Sequence, residues 1–134
     1  MAARYFTVEE ANALLETVRP LVEEMVEHRR ALAAAMERQE RIEGKVKTNG
    51  GGIPPERPAE LAAAVSEEAQ AVARCLERIH ELGAVVKDLD TGLVDFPAVR
   101  GDEEVFLCWQ LGEDEIRYWH GLGEGFAGRK ELPL

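Results

Sequence analysis

Asp88, Asp95, Tyr118, His120 and Arg129, all in the C-terminal half of the chain, are the side chains from which a polar site could be built. Two carboxylates and an imidazole are oxygen and borderline-nitrogen donors able to hold a divalent metal ion, and a His–Asp pair can exchange protons near neutral pH. Strand register decides whether they meet. If Thr91 and Gly92 form a two-residue turn, Asp88 lies opposite Asp95. A turn centred on Gly112 and Glu113 sets Val105 opposite His120 and Leu107 opposite Tyr118. That alternation places Asp88, Asp95, Tyr118 and His120 on one sheet face, with Val94, Phe96, Phe106, Cys108 and Trp119 on the other. Asp88, Asp95 and His120 are then the expected metal ligands, with Arg129 as an anion contact. A slip of one residue would scatter the group, and paired aspartates on an exposed sheet face are more often simply solvated.

Other motifs are weaker. Glu77 and His80 have the Glu-x-x-His spacing of di-iron bundles, but His28 has Met25 three residues before it, so the second copy is missing. The glycines at 50–52 lack the preceding strand and the Gly-Lys-Ser/Thr ending of a phosphate-binding loop. Cys75 and Cys108 lack CxxC spacing and are expected as reduced, buried residues. Arg129 and Lys130 could instead pair with Glu124 and Glu131.

The elements that must position these residues are readable from periodicity. Thr7 and Glu10 form a capping box with Phe6 as staple. Val8, Ala11, Leu15, Val18, Val22, Met25, Leu32 and Met36 then mark one apolar helical stripe over 7–43. Pro20 predicts a kink near Thr17 to Arg19 or a restart at Pro20. The Gly/Pro-rich stretch 44–57 is the expected hairpin loop. Pro58 opens a second helix over 58–83, whose stripe of Leu61, Val65, Ala69, Val72, Leu76, Ile79 and Leu82 ends at Gly83 as C′. Its alanines make it narrow. Short β-branched and aromatic runs at 84–89, 92–96, 104–110 and 115–120 predict a four-stranded meander, followed by an irregular glycine-rich tail, 121–134. The fold expected is one α+β domain over 1–134: a long antiparallel helical hairpin followed by a small antiparallel β-meander.

The composition constrains partners. A net charge of −10, from 16 Lys and Arg against 26 Asp and Glu, repels a phosphate backbone, and Arg38, Arg41, Lys45 and Lys47 alternate with Glu37, Glu40 and Glu43. Nucleic acid is not an expected partner. The first residues run straight into a helix start, with no apolar stretch long enough for a signal peptide or membrane span. The expectation is a soluble cytoplasmic protein with no membrane partner.

The run Val86-Lys87-Asp88-Leu89-Asp90-Thr91-Gly92-Leu93-Val94-Asp95-Phe96-Pro97 is followed by Leu107-Cys108-Trp109, Gly112-Glu113, Trp119-His120 and Gly125-Phe126-Ala127-Gly128-Arg129. With Tyr5-Phe6-Thr7, Glu10-Ala11-Asn12 and Asn49-Gly50-Gly51, these motifs resemble an uncharacterised bacterial family catalogued as domain of unknown function 2203. The resemblance spans nearly the whole chain and implies a small stand-alone protein, without supplying a mechanism. Its motif positions include Asp88, Asp95, Trp109, Glu113, His120 and Arg129, which overlap the polar face reached from register.

Two functions follow as expectations. The first is a non-enzymatic binding or scaffold protein whose helical stripe packs on a second copy, a dimer being favoured among homo-oligomers. The other is a metal- or small-molecule-dependent enzyme or sensor built on Asp88, Asp95 and His120, with a divalent metal ion as cofactor.

Overall fold

In a computed structural model, residues 4–48 and 57–134 are described, with 45–48 as backbone only. The first helix, α1 (Val8–Thr48), starts at the capping box. Glu10 N–H donates to Thr7 Oγ1 at 3.1 Å, and Thr7 N–H donates to Glu10 Oε1 at 2.9 Å. Phe6 is buried and meets the Phe96 ring edge-on at 5.7 Å.

Of the two alternatives expected at Pro20, a kink or a restart, the restart does not occur, and the helix also ends later than expected. It runs unbroken through Pro20 instead of restarting there. Pro20 and Glu16 are both exposed, so the one carbonyl deprived of its helical partner lies on the wet side. It also continues past Gly44 to Thr48 instead of ending at 43. A single glycine costs about 1 kcal/mol in a helix interior, too little to end one whose flanking residues are good formers. The connector expected at 44–57 falls largely on 49–56, outside the described residues.

The second helix, α2 (Pro58–Glu81), has proline at its N-terminus as expected. It ends in a Schellman motif: Gly83 N–H donates to His80 O at 2.9 Å and Ala84 N–H to Ile79 O at 3.3 Å, with Gly83 at φ 99°.

Five strands form one antiparallel meander in sequential order: β1 (Val85–Asp88), β2 (Leu93–Arg100), β3 (Glu103–Gln110), β4 (Tyr118–Gly121) and β5 (Lys130–Glu131). The fifth strand, from the tail, was not expected. β2 also reaches four residues further than its predicted end at 96. Val94, Phe96, Ala98, Val105, Leu107 and Trp109 face the helices and close the core against Ala11, Leu15, Val18, Val22 and Met25 of α1 and Val72, Cys75 and Ile79 of α2. Gly92, at φ 71°, lets the β1–β2 turn lie on α1, where a Cβ would sit 2.9 Å from both Leu111 Cβ and Val22 Cγ1.

Register differs from the two-residue-turn expectation on both hairpins. Asp88 pairs with Leu93, across a bulge, and Asp95 pairs with Val85. The cause is Asp88 itself: its Oδ1 accepts the N–H groups of Asp90 at 2.8 Å and Thr91 at 3.3 Å, closing a wider turn. Between β3 and β4 the shift is one residue, with Phe106 opposite His120, Leu107 opposite Trp119 and Cys108 opposite Tyr118. Here the connection is a loop, 111–117, held by α1. Ile116 is buried and its N–H donates to Asn12 Oδ1 at 2.8 Å. Arg19 donates to the carbonyls of Glu113 at 3.0 Å and Asp114 at 2.7 Å.

Candidate functional site

Antiparallel partners share a face, so the register sets Val85, Asp95, Cys108, Tyr118 and Glu131 in one row across the sheet, on the face away from the helical core. Pro97, Phe106 and His120 form the next row on that face. The one-residue shift therefore moves Cys108 and Phe106 from the core face to the Asp95 face. Asp88 is exposed and occupied with its turn, so it does not join Asp95 and His120.

Asp95 and His120 do meet. Nε2 of His120 lies 3.0 Å from each carboxylate oxygen of Asp95, and the residues are 3% and 1% exposed. Nδ1 of His120 is 2.8 Å from the Gly121 carbonyl. A carbonyl only accepts, so Nδ1 carries a hydrogen and Nε2 is the atom turned toward the carboxylate. Cys108 completes the cluster: the donor atoms of Asp95, Cys108 and His120 all lie within 4.8 Å of one another. Burial pushes the Cys108 thiol up to about 12, helped by the Asp95 charge and by its hydrogen bond to Asp95. The thiol is thus a proton donor to the same carboxylate that faces the imidazole. The Phe106 ring, 5.5 Å from the imidazole, packs beside it.

A second polar group adjoins the Tyr118 end of the row. Nη2 of Arg129 donates to both Glu113 carboxylate oxygens, at 2.7 and 2.8 Å, and to the Cys108 carbonyl at 3.3 Å. The guanidinium lies 4.0 Å from the Tyr118 ring centre and 4.6 Å from that of Phe126. Glu113 Oε1 also accepts the Gln110 N–H at 2.6 Å, so the loop and the tail are tied through one carboxylate. Trp109 is fully buried on the opposite face, its Nε1–H donating to the Glu113 carbonyl at 2.9 Å, and Arg19 stacks on its ring at 5.5 Å. Among the sequence-predicted residues, then, Asp95 and His120 form one contact pair, Glu113, Arg129 and Tyr118 another group beside it, Trp109 buttresses the loop from the core side, and Asp88 stands apart.

The tail is tied to the end of β4 by Glu124, whose Oε1 accepts the Gly121 N–H at 2.9 Å and Lys130 Nζ at 2.7 Å. The Lys130 ammonium and then the Gly121 N–H keep the Glu124 carboxyl below the usual carboxylate range. Sequence reasoning missed Cys108 as a member of the polar face and Arg19 and Asn12 as anchors of the loop. The parity of Cys108 with Phe106 in β3 was visible, but only the true length of the β3–β4 loop assigns that parity to a face. Glu77 and His80 are exposed on α2 and join neither group.

A helical hairpin that covers one face of a five-stranded meander, with a buried Asp–Cys–His group on the other face, defines a small α+β protein whose polar centre belongs to the sheet. The chain belongs to the family of uncharacterized conserved proteins DUF2203, whose family model matches residues 4–132. No curated protein and no solved structure matches it. Among the described residues, no helix is long and apolar enough to cross a membrane.

Proposed function

We propose that the protein is a non-enzymatic scaffold that self-associates through its helical hairpin, a dimer being the simplest assembly. The observation that carries this reading is the extension of the hairpin past the core. The 41 residues of α1 rise about 60 Å, whereas the eight-residue strands β2 and β3 span about 27 Å. Arg29 Nε reaches Asp90 Oδ1, in the β1–β2 turn, at 3.2 Å. Among the described residues, none of α1 after Val26 and none of α2 before Val72 belongs to the core cluster.

The arm beyond this point has the features of a coiled coil. His28, Leu32, Ala35, Gln39 and Ile42 alternate in steps of four and three and are wholly or partly buried, as are Leu61, Val65, Glu68 and Val72. Nδ1 of His28 and Oε2 of Glu68 meet at 2.6 Å inside that seam and fix its register. On α2, Ala62, Ser66, Ala69 and Ala73 repeat the same spacing but are exposed. Side chains that small allow another helix close approach, as in a four-helix bundle. Charge favours a second copy on the arm over elsewhere: across residues 30–48 and 57–71, Arg30, Arg38, Arg41, Lys45, Lys47 and Arg57 balance Glu37, Glu40, Glu43, Glu60, Glu67 and Glu68, in a chain of net −10. Multi-angle light scattering of the full chain at micromolar concentrations tests the reading: twice the chain mass supports it, and a monodisperse monomer contradicts it.

A further inference from the structure

Asp95, Cys108 and His120 bring three different donors together from three adjacent strands: a carboxylate from β2, a thiol from β3 and an imidazole from β4. We infer that they form a binding site for one divalent cation of the zinc type. The inference concerns the sheet and is independent of how the helical arm assembles.

Geometry supports it in three ways. First, His120 is pre-oriented as a ligand. Its Nδ1–H is held by the Gly121 carbonyl at 2.8 Å, which leaves Nε2 as the ring atom that faces the cluster. Metal-bound histidines are commonly oriented by such a bond from their other nitrogen to a carbonyl or carboxylate. Second, Nε2 sits 3.0 Å from both Asp95 oxygens. The carboxylate and the imidazole therefore present their donor atoms to the same buried space. Third, the atoms already lie within 4.8 Å of one another. Tetrahedral zinc with bonds of about 2.0–2.3 Å places its ligand atoms roughly 3.3–3.7 Å apart, so shifts of about an ångström or less seat the ion.

Donor chemistry selects the cation. A thiolate and an imidazole disfavour calcium and magnesium, which take oxygen ligands, and favour zinc-like ions. A carboxylate, a thiolate and a divalent cation sum to zero charge, the condition for burial in a site whose ligands are no more than 3% exposed. Three protein ligands leave the fourth tetrahedral position to a water or another small ligand.

The test is a cobalt(II) titration of the full chain after chelator treatment and removal of the chelator, in the absence of oxygen. The expected result is saturation at one equivalent, with intense visible d–d bands of four-coordinate cobalt and a near-ultraviolet thiolate-to-cobalt band, all reversed by zinc. Cys75→Ser should leave these spectra unchanged, while Cys108→Ser should abolish the thiolate band. Asp95→Asn and His120→Gln should each weaken binding by more than about tenfold, since even outer-shell changes typically cost that much. Circular dichroism identifies variants that fail to fold; the native chain and Cys75→Ser then decide the matter alone. The weak spectrum of six-coordinate cobalt, or no spectral change, in the native chain overturns the site and leaves the three side chains as a proton-satisfied buried network. A thiolate band that survives Cys108→Ser and disappears in Cys75→Ser overturns it equally.

Discussion

The imidazole of His120 faces the Asp95 carboxylate at 3.0 Å to each oxygen, with both side chains buried on the sheet face opposite the helical core. The contact joins β2 to β4 across β3, so it fixes the positions of three strands with one pair of side chains. Removing Asp95 leaves His120 Nε2 buried without its partner. Asp95→Ala should therefore lower stability by about 3–5 kcal/mol, and Asp95→Asn, which keeps an acceptor and the volume, by clearly less. Urea unfolding followed by tryptophan fluorescence measures both; a loss below about 1 kcal/mol for Asp95→Ala would show that the pairing itself contributes little.

Gly92 is required by both conformation and contact. Its φ of 71° strains any residue with a Cβ, and an added Cβ would meet Leu111 and Val22 at 2.9 Å. Left-handed backbone costs about 1–2 kcal/mol and overpacking about 1–3 kcal/mol. Gly92→Ala should accordingly be far more destabilising than Gly101→Ala, where φ is 64° but no atom lies within 4 Å of the added carbon. Thermal melts of the two variants make the comparison.

Both cysteines should be silent toward a thiol reagent in the folded protein. Each is buried and free, and burial raises both thiols, Cys108 to about 12. A chromogenic disulfide assay at pH 8 should count two thiols in denaturant and none in native buffer over minutes. Rapid native reaction at Cys108 would contradict its placement.

The capping box predicts an acid dependence. The backbone N–H and then the side chain of Thr7 hold the Glu10 carboxyl below its ordinary range. A carboxyl depressed in the folded state contributes stability that is present above its unfolded pKa and is lost as pH falls through the folded one. Between about pH 5 and about pH 3, the urea midpoint should fall less steeply in Glu10→Gln than in the native chain. Parallel slopes would remove Glu10 from the acid response.

The helices were legible because their signals are local. Thr7 and Glu10 are three residues apart, and Gly83 closes a motif written within six residues. The meander was legible as a succession of strands for the same reason. Its register was not, because the turns depend on residues far away in sequence. Asn12 and Arg19 of α1 hold the 111–117 loop open through Ile116, Glu113 and Asp114, and no two-residue-turn rule contains them. Asp88 was read as half of a carboxylate pair, whereas its side chain is consumed by its own turn. Asp95 and His120 met despite the shift because Asp95 pairs with Cys108 and His120 with Phe106, two residues of β3 on one face; Cys108 arrived there because of the shift. The fifth strand is two residues long and carries no periodic signal for a sequence to show.

Self-association through the arm is the central claim, and sedimentation equilibrium of the native chain beside Ala69→Glu tests it most directly. Ala69 is exposed on the small-residue face of α2, so a glutamate there leaves the folded chain intact while placing a charge where a second helix must approach. A dimer is expected for the native chain and a monomer of unchanged helical content for the variant. A native chain that sediments as a monomer across tens of micromolar, or a variant that remains dimeric, would contradict it.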